Sequence, residues 1–219
     1  MRAKTDRRHA QGDESRERIL DATIEIASLR GYQGTSIAEV SKRSGLPASS
    51  IYWHFKDKDD LIAAVIQRSF DTWLRTTIVV SIRRPGVDAR EHLVTSMGNQ
   101  AAALVASPEF LRLGLMLALE QHPKEPSARA LFLQVRAQAF SVMTDSFERT
   151  LAEVHGTSDP ALARRIAALT MAAADGLFIA QQVDPDAMDL VDEFELLAQM
   201  IMDMVERVAP VPARRRSAS

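Results

Sequence analysis

The chain predicts an all-α fold on three observations. Apolar residues recur at helical rather than alternating spacing along most of its length. Start and stop signals separate these runs: a Ser or Asp with an acidic residue three positions on, a proline in a first turn, a glycine past an end. Aromatic residues are only 5% of a sequence that is 46% hydrophobic, so the core is built from Ala, Leu, Ile, Val and Met, a balance that favours helices over strands. At 219 residues the chain suits one large domain or two modest ones sharing an interface.

Residues 1–14 are polar and unpatterned and read as a flexible basic arm. Its Arg2, Lys4, Arg7 and Arg8 could touch phosphates or simply stay solvated. The basic start leads into Gln-Gly-Asp-Glu-Ser rather than an apolar segment, which argues against a secretory signal. From Ser15 to Arg30 the residues Ile19, Ala22, Ile26 and Ala27 keep helical spacing, and Gly31 ends the run.

Ser36 with Glu39 is a capping box, in which the hydroxyl accepts from a backbone amide while the carboxylate reaches back. The helix it opens should run to about Arg43, because Ser44-Gly45 supplies a residue free to turn left-handed. Pro47 suits the first turn of the next helix, where its missing N–H has no partner to lose. In that helix Ala48, Ile51 and Phe55 stack on one face, leaving Ser49, Ser50, Trp53 and His54 opposite, with Tyr52 at the edge. Two short helices on a tight Gly-containing turn form a helix-turn-helix whose second helix can enter a major groove. Lys56 and Lys58 lie just past its end, where ammonium groups could hold phosphates. A Tyr-Trp-His-Phe run by itself reads as helix packing; its place in a capped helix-turn-helix turns it into a nucleic-acid surface. No second metal-ligating side chain stands at ligand spacing to His54, so no metal is expected.

Gly31-Tyr32, Thr35-Ser36-Ile37, Gly45-Leu46, Ile51-Tyr52-Trp53-His54-Phe55 and Lys58-Asp59-Asp60-Leu61 together resemble the TetR/AcrR family of transcriptional regulators. The match covers Ser15 to Phe70. The resemblance implies an all-helical homodimer, with an N-terminal three-helix bundle holding the helix-turn-helix and a larger C-terminal domain for ligand and dimer contacts. The helical runs and their boundary signals give about nine helices in all, with domains at 15–58 and 59–208 and a disordered basic tail at 209–219. The expected DNA-facing set is Ser36, Ser49, Ser50, Tyr52, Trp53, His54 and Lys58, of which Tyr52, His54 and Lys58 match positions that contact the DNA backbone in the family. Pro47 and Ser49 depart from the serine and glycine that many members carry.

Asp57 and Asp60 repeat the cap spacing and open a long helix from Leu61 through Phe70, Trp73 and Leu74, ending before Pro85-Gly86. One element running from the helix-turn-helix into the second domain can carry displacement between them. Asp88 with Glu91 caps a helix striped by Leu93, Met97, Ala101 and Leu104. Ser107-Pro108-Glu109 opens a segment apolar almost all round, which indicates burial. Residues 122–126 are a proline-bounded loop, Ser127 to Val154 a long amphipathic helix, and Gly156 and Pro160 the next junction.

The last two helices carry the sharpest pattern of the second half. In Asp189 to Val208 the residues Leu190, Phe194, Leu197, Ile201 and Met204, then Val208, alternate by four and three, the seam of a helix that packs lengthwise on another. Ala161 to Gln182 adds Leu162, Ile166, Leu169 and Ala173 among small residues that permit close approach. Two copies of this pair make a four-helix dimer interface, as the resemblance implies; an intramolecular core is the other reading of the same spacing.

The formal net charge of −2 conceals an asymmetry. Residues 1–58 hold eleven Lys and Arg against eight Asp and Glu, a net of +3, which leaves sixteen against twenty-one, or −5, beyond. With no cysteine there is neither disulfide nor thiol sensor, and a cytoplasmic setting is expected. No continuous apolar run reaches the roughly 18 residues of a membrane span, so no membrane partner is expected. No phosphate loop, H-E-x-x-H or G-x-S-x-G occurs, so no catalysis and no cofactor is expected.

An apolar small-molecule effector is expected among the middle helices, against Trp73, Met97, Met116, Phe132, Phe140, Met143 and Phe178. Arg136, like Asp175, lies in an apolar helical stretch and could hold a ligand's polar group or make a structural hydrogen bond. The resulting expectation is a dimeric regulator in the repressor role, released from a near-palindromic operator by that effector. Control by a partner protein, or an all-helical enzyme with a DNA-binding appendage, are the alternatives.

Overall fold

The computed structural model describes the backbone of residues 2–81, 86–120 and 127–208, and the side chains of 12–72, 86–120 and 127–208. Among the described residues the fold is all helical: α1 Arg2–Arg30, α2 Ile37–Ser44, α3 Ala48–His54, α4 Lys58–Ser81, α5 Ala89–Ala106, α6 Glu109–Leu119, α7 Ser127–His155, α8 Pro160–Val183 and α9 Leu190–Arg207. The expected all-α class is therefore met. The first helix differs: it begins at Arg2, so the backbone of the segment read as a flexible arm is helical. The tail from 209 onward and the loop at 122–126 lie outside the described residues.

The chain divides into two compact units, one of residues 1–74 with 107–135, the other of 75–106 with 136–219. The expected boundary at 58/59 drew a smaller first domain. In the first unit Ile19, Leu20, Ala22 and Ala27 of α1 are buried with Val40, Ile51, Phe55, Leu61, Ile62, Val65 and Ile66. The caps act as their chemistry requires. Ser36 accepts from the amide of Glu39 at 3.2 Å and Gly45 closes α2 at φ 69°. At the start of α4 the Asp57 carboxylate accepts from the Asp60 amide and the Asp60 carboxylate from the Lys56 amide, each at 2.9 Å. Arg68 of α4 reaches Glu17 at 2.6 Å and Asp21 at 2.8 Å, fastening α4 along α1.

Helix α6 is buried through Phe110, Leu111, Leu113 and Leu117, as its nearly continuous apolar sequence requires. Rings of Phe70, Phe110 and Phe132 meet in series at 5.3 and 5.5 Å between centroids, joining α4, α6 and α7 within the first unit. Asp59 caps α7 from outside that helix: its carboxylate accepts from the Ser127 amide at 2.8 Å and from the Ser127 hydroxyl at 2.6 Å. Asp59→Ala should therefore lower stability by about 1 kcal/mol, the usual cost of a lost N-cap, read as a fall in denaturant midpoint at unchanged slope.

In the second unit α9 packs along α5 and against α8. Leu190, Phe194, Ala198, Ile201 and Val205 of α9 are buried, with Met97, Ala101 and Leu104 of α5. Arg90 of α5 bonds Asp203 and Glu206, both at 2.7 Å, and these hydrogen bonds hold its guanidinium pKa above the ordinary value. His155 closes α7 onto the Val205 carbonyl at 2.6 Å. Arg136 and Asp175 form a two-pronged ion pair at 2.9 and 2.5 Å, which satisfies both charges within apolar helices.

Candidate nucleic-acid interface

Why α3 presents what it does follows from its anchoring. Ile51 and Phe55 are buried against the bundle, and the Phe55 amide closes the helix on the Ile51 carbonyl at 2.9 Å. A helix so fixed turns its other face outward: Trp53 is 75% and Tyr52 58% exposed, and Ser49 is exposed while Ser50 and His54 are half-buried. Exposing two large aromatics on a rigid seven-residue helix costs solvation unless a partner covers them. Pro47 serves as the N-cap rather than the first helical residue, one position from expectation.

The N-terminal part of α1 lies against this face. A cleft of about 280 Å³ is lined by Ser15, Ser49, Ser50, Trp53 and His54. The Ser15 hydroxyl oxygen is 2.8 Å from His54 Nε2 and 2.8 Å from the Gly12 carbonyl, to which it donates. A Cβ built at Gly12 would lie 3.7 Å from the Trp53 ring, so a side chain at that position of α1 would meet the indole. Arg16 stands over Phe55 at 5.5 Å and beside His54. Burial first, then the Arg16 charge, lowers the His54 pKa below its ordinary 6.5, with Asp13 opposing. Sequence reasoning missed Gly12, Ser15 and Arg16 in this role, because a polar helix start carries no signal of what it will touch.

Lys58 is half-buried and partly engaged. Its ammonium donates to the Tyr32 carbonyl at 3.1 Å and lies 4.2 Å from the centre of the Tyr32 ring. Ser36 sits at the start of α2 as its cap, with its hydroxyl also 3.3 Å from Glu39.

The residues expected around an effector fall in both units. Met116 and Phe132 belong to the first unit, where Phe132 is fully buried against Phe110. Met97, Arg136, Phe140, Met143 and Phe178 belong to the second. There Met97 and Phe178 are buried, Arg136 is paired with Asp175, and Phe140 lies under the Arg164 guanidinium at 5.0 Å. The Trp73 side chain lies outside the described residues.

The expected dimer seam also divides, and this is a correction. Ile166, Leu190, Phe194 and Ile201 are buried within the protomer, so they are core. Leu162, Ala173, Leu197 and Met204 are half-buried, and Leu169 is exposed. The apolar residues that α8 and α9 turn outward are Leu169, Ile179, Val183, Leu196 and Met200. The buried members of the four-three spacing thus belong to the core of the same chain.

Residues 19–65 match the family model described as bacterial regulatory proteins, tetR family. The chain is 39% identical over 59 residues to the HTH-type transcriptional regulator AcrR of Shigella flexneri, 27% of either chain. Over 58 residues it is 36% identical to the transcriptional repressor KstR of Mycolicibacterium smegmatis, 26% of this chain and 28% of that one. The alignments thus span about a quarter of these relatives' length. Among solved structures, the MbdR regulator from Azoarcus sp. CIB superposes with a TM-score of 0.73 at 20% identity, covering 86% of this chain and 97% of that one. The transcriptional regulator FadR from Bacillus subtilis, solved in complex with stearoyl-CoA, gives 0.63 at 16% identity, covering 87% and 97%. Residues 19–65, which hold the capped α2, the exposed face of α3 and the start of α4, thus match the N-terminal domain of the tetR family of bacterial regulatory proteins, in a fold that is all helical among the described residues.

Proposed function

We propose that the chain is a dimeric transcriptional regulator in the repressor role, holding a near-palindromic operator and releasing it when a small apolar molecule binds. The observation that carries the DNA-binding half is α3, a short helix anchored by Ile51 and Phe55 that presents Ser49, Tyr52 and Trp53 to solvent with Ser50 and His54 half-buried beside them. Small hydroxyls let such a helix approach base edges, and the aromatic groups offer apolar contact to thymine methyls. Lys58 belongs to the phosphate-contacting set, since an ammonium that spends one donor on Tyr32 keeps two. The apolar effector is supported by the Bacillus subtilis neighbour of the same fold, solved with stearoyl-CoA.

Duplexes selected by the protein from a random-sequence pool test this reading. They should emerge with two related half-sites about 34 to 36 Å apart or a multiple of that spacing. Affinity should fall steeply with salt as phosphate neutralisation releases counterions, and Lys58→Ala should reduce the logarithmic salt slope by about one for each copy of α3 while weakening all sequences alike. Substituting Ser50 or Trp53 should instead change which sequence is selected. An unchanged slope in Lys58→Ala would remove that residue from the phosphate contacts, and failure to enrich any sequence would sink the regulator reading. The effector half is checked by adding long-chain acyl compounds to the preformed complex, which should release DNA to the extent that they favour the unbound state.

A further inference from the structure

Proton counting in the cleft beside α3 decides the state of one ring nitrogen. The Ser15 oxygen sits 2.8 Å from two atoms, the Gly12 carbonyl oxygen and His54 Nε2, yet it carries one proton. A carbonyl has no proton to give, so the short oxygen–oxygen contact uses the hydroxyl's. The contact to His54 is then a hydrogen bond only if Nε2 is the donor. The chain of donors runs from His54 Nε2–H to Ser15 and from Ser15 to Gly12. In the neutral ring this leaves Nδ1 without a hydrogen, able to accept and unable to donate.

A phosphate oxygen accepts only. We propose that Ser15 is a positioning residue that makes DNA binding by this chain proton-linked: by occupying Nε2–H of His54, it leaves the ring a phosphate donor only after Nδ1 has taken up a proton. This rests on the reading of α3 as the DNA-facing helix. The charged groups facing the ring are Arg16 and Asp13, both of α1, while its neighbours on α3 in the cleft, Ser49, Ser50 and Trp53, are uncharged. In the free protein burial and Arg16 hold the ring neutral near pH 7, and a phosphate at Nδ1 favours the cation. The complex therefore binds more protons than its parts, and affinity rises as pH falls. That rise is confined to the window between the raised pKa of the complex and the lowered pKa of the free protein, below which both states are protonated. Its slope approaches tenfold per pH unit for each copy of α3, since each contributes up to one proton.

The experiment measures binding of the full-length protein to a fluorescent duplex that it has itself selected from a random pool, from about pH 5.5 to 8 at fixed ionic strength. His54→Gln, which does not titrate there, supplies the reference slope set by every other group. The wild type should exceed it by up to one log unit of affinity per pH unit for each copy of α3. Ser15→Ala should bring the slope down towards that reference, because a neutral ring freed from Ser15 can place its proton on Nδ1. Ser15→Thr, which keeps the hydroxyl, should restore the slope. A wild-type slope equal to that of His54→Gln overturns the linkage, and a full slope in Ser15→Ala overturns the part given to Ser15. Nitrogen-15 shifts of the His54 ring in the free protein read the tautomer without DNA, and a neutral ring protonated on Nδ1 overturns the proposal by itself. Absence of duplex binding at every pH would instead defeat the underlying DNA-binding reading together with the linkage.

Discussion

Gly114→Ala should destabilise the protein by about 2 to 3 kcal/mol, although glycine to alanine inside a helix normally stabilises by about 1 kcal/mol. Two effects compete. Alanine restricts the unfolded chain and has the better helix propensity. Against this, a Cβ at position 114 would fall well under 3.0 Å from three ring atoms of Phe132. That ring is fully buried and packed against Phe110, so it cannot swing away as an exposed side chain would. Overpacking wins because the obstacle is a rigid ring inside a filled core. Urea denaturation with tryptophan fluorescence should show the loss, and Phe132→Leu added to Gly114→Ala should recover part of it non-additively. A neutral or stabilising Gly114→Ala would mean that α6 and α7 are not in such close contact.

The same pair shows what the sequence made legible and what it left hidden. Phe132 looked like one of several large apolar side chains able to receive a ligand, and only the placement of Gly114 beneath it identifies it as packing. Caps were readable because their chemistry is local: Ser36 with Glu39, Asp57 with Asp60, and Gly45 at positive φ each accept or turn where expected. The outward set on α3 was readable because a seven-residue helix with Ile51 and Phe55 on one side has only one other side. Long-range partners were not. Nothing near Asp59 announces that it will cap a helix 68 positions away, and nothing near Ser15 announces His54. Helical periodicity names a face and never the partner of that face.

That limit sets the prediction with the largest consequence for assembly. Helix α8 is apolar enough, at a mean hydropathy of 1.4 over an 18-residue stretch, to pass for a membrane span by length and composition, with 22% of that stretch buried. Yet Arg136 reaches Asp175 on this same helix, so it presents a charge that is already paired and an apolar stripe that is not. Leu169 is 63% and Met200 60% exposed, whereas Ile201, the next residue on α9, is 7% exposed. Adjacent positions should therefore answer the same substitution differently. If α8 and α9 meet their copies about a two-fold axis, Met200→Glu places an unpaired carboxylate at the contact twice over and should weaken the dimer by several kcal/mol. Sedimentation at micromolar concentration should then find a monomer with native helical circular dichroism, and binding to the two half-sites should fall by about a hundredfold or more as the second copy is lost. Ile201→Glu places its carboxylate in the protomer core instead, and should lower the melting temperature or abolish folding, a cost of about 3 to 5 kcal/mol. A dimeric Met200→Glu would deny the outward face its role, and a folded, monomeric Ile201→Glu would return the interface to the buried seam.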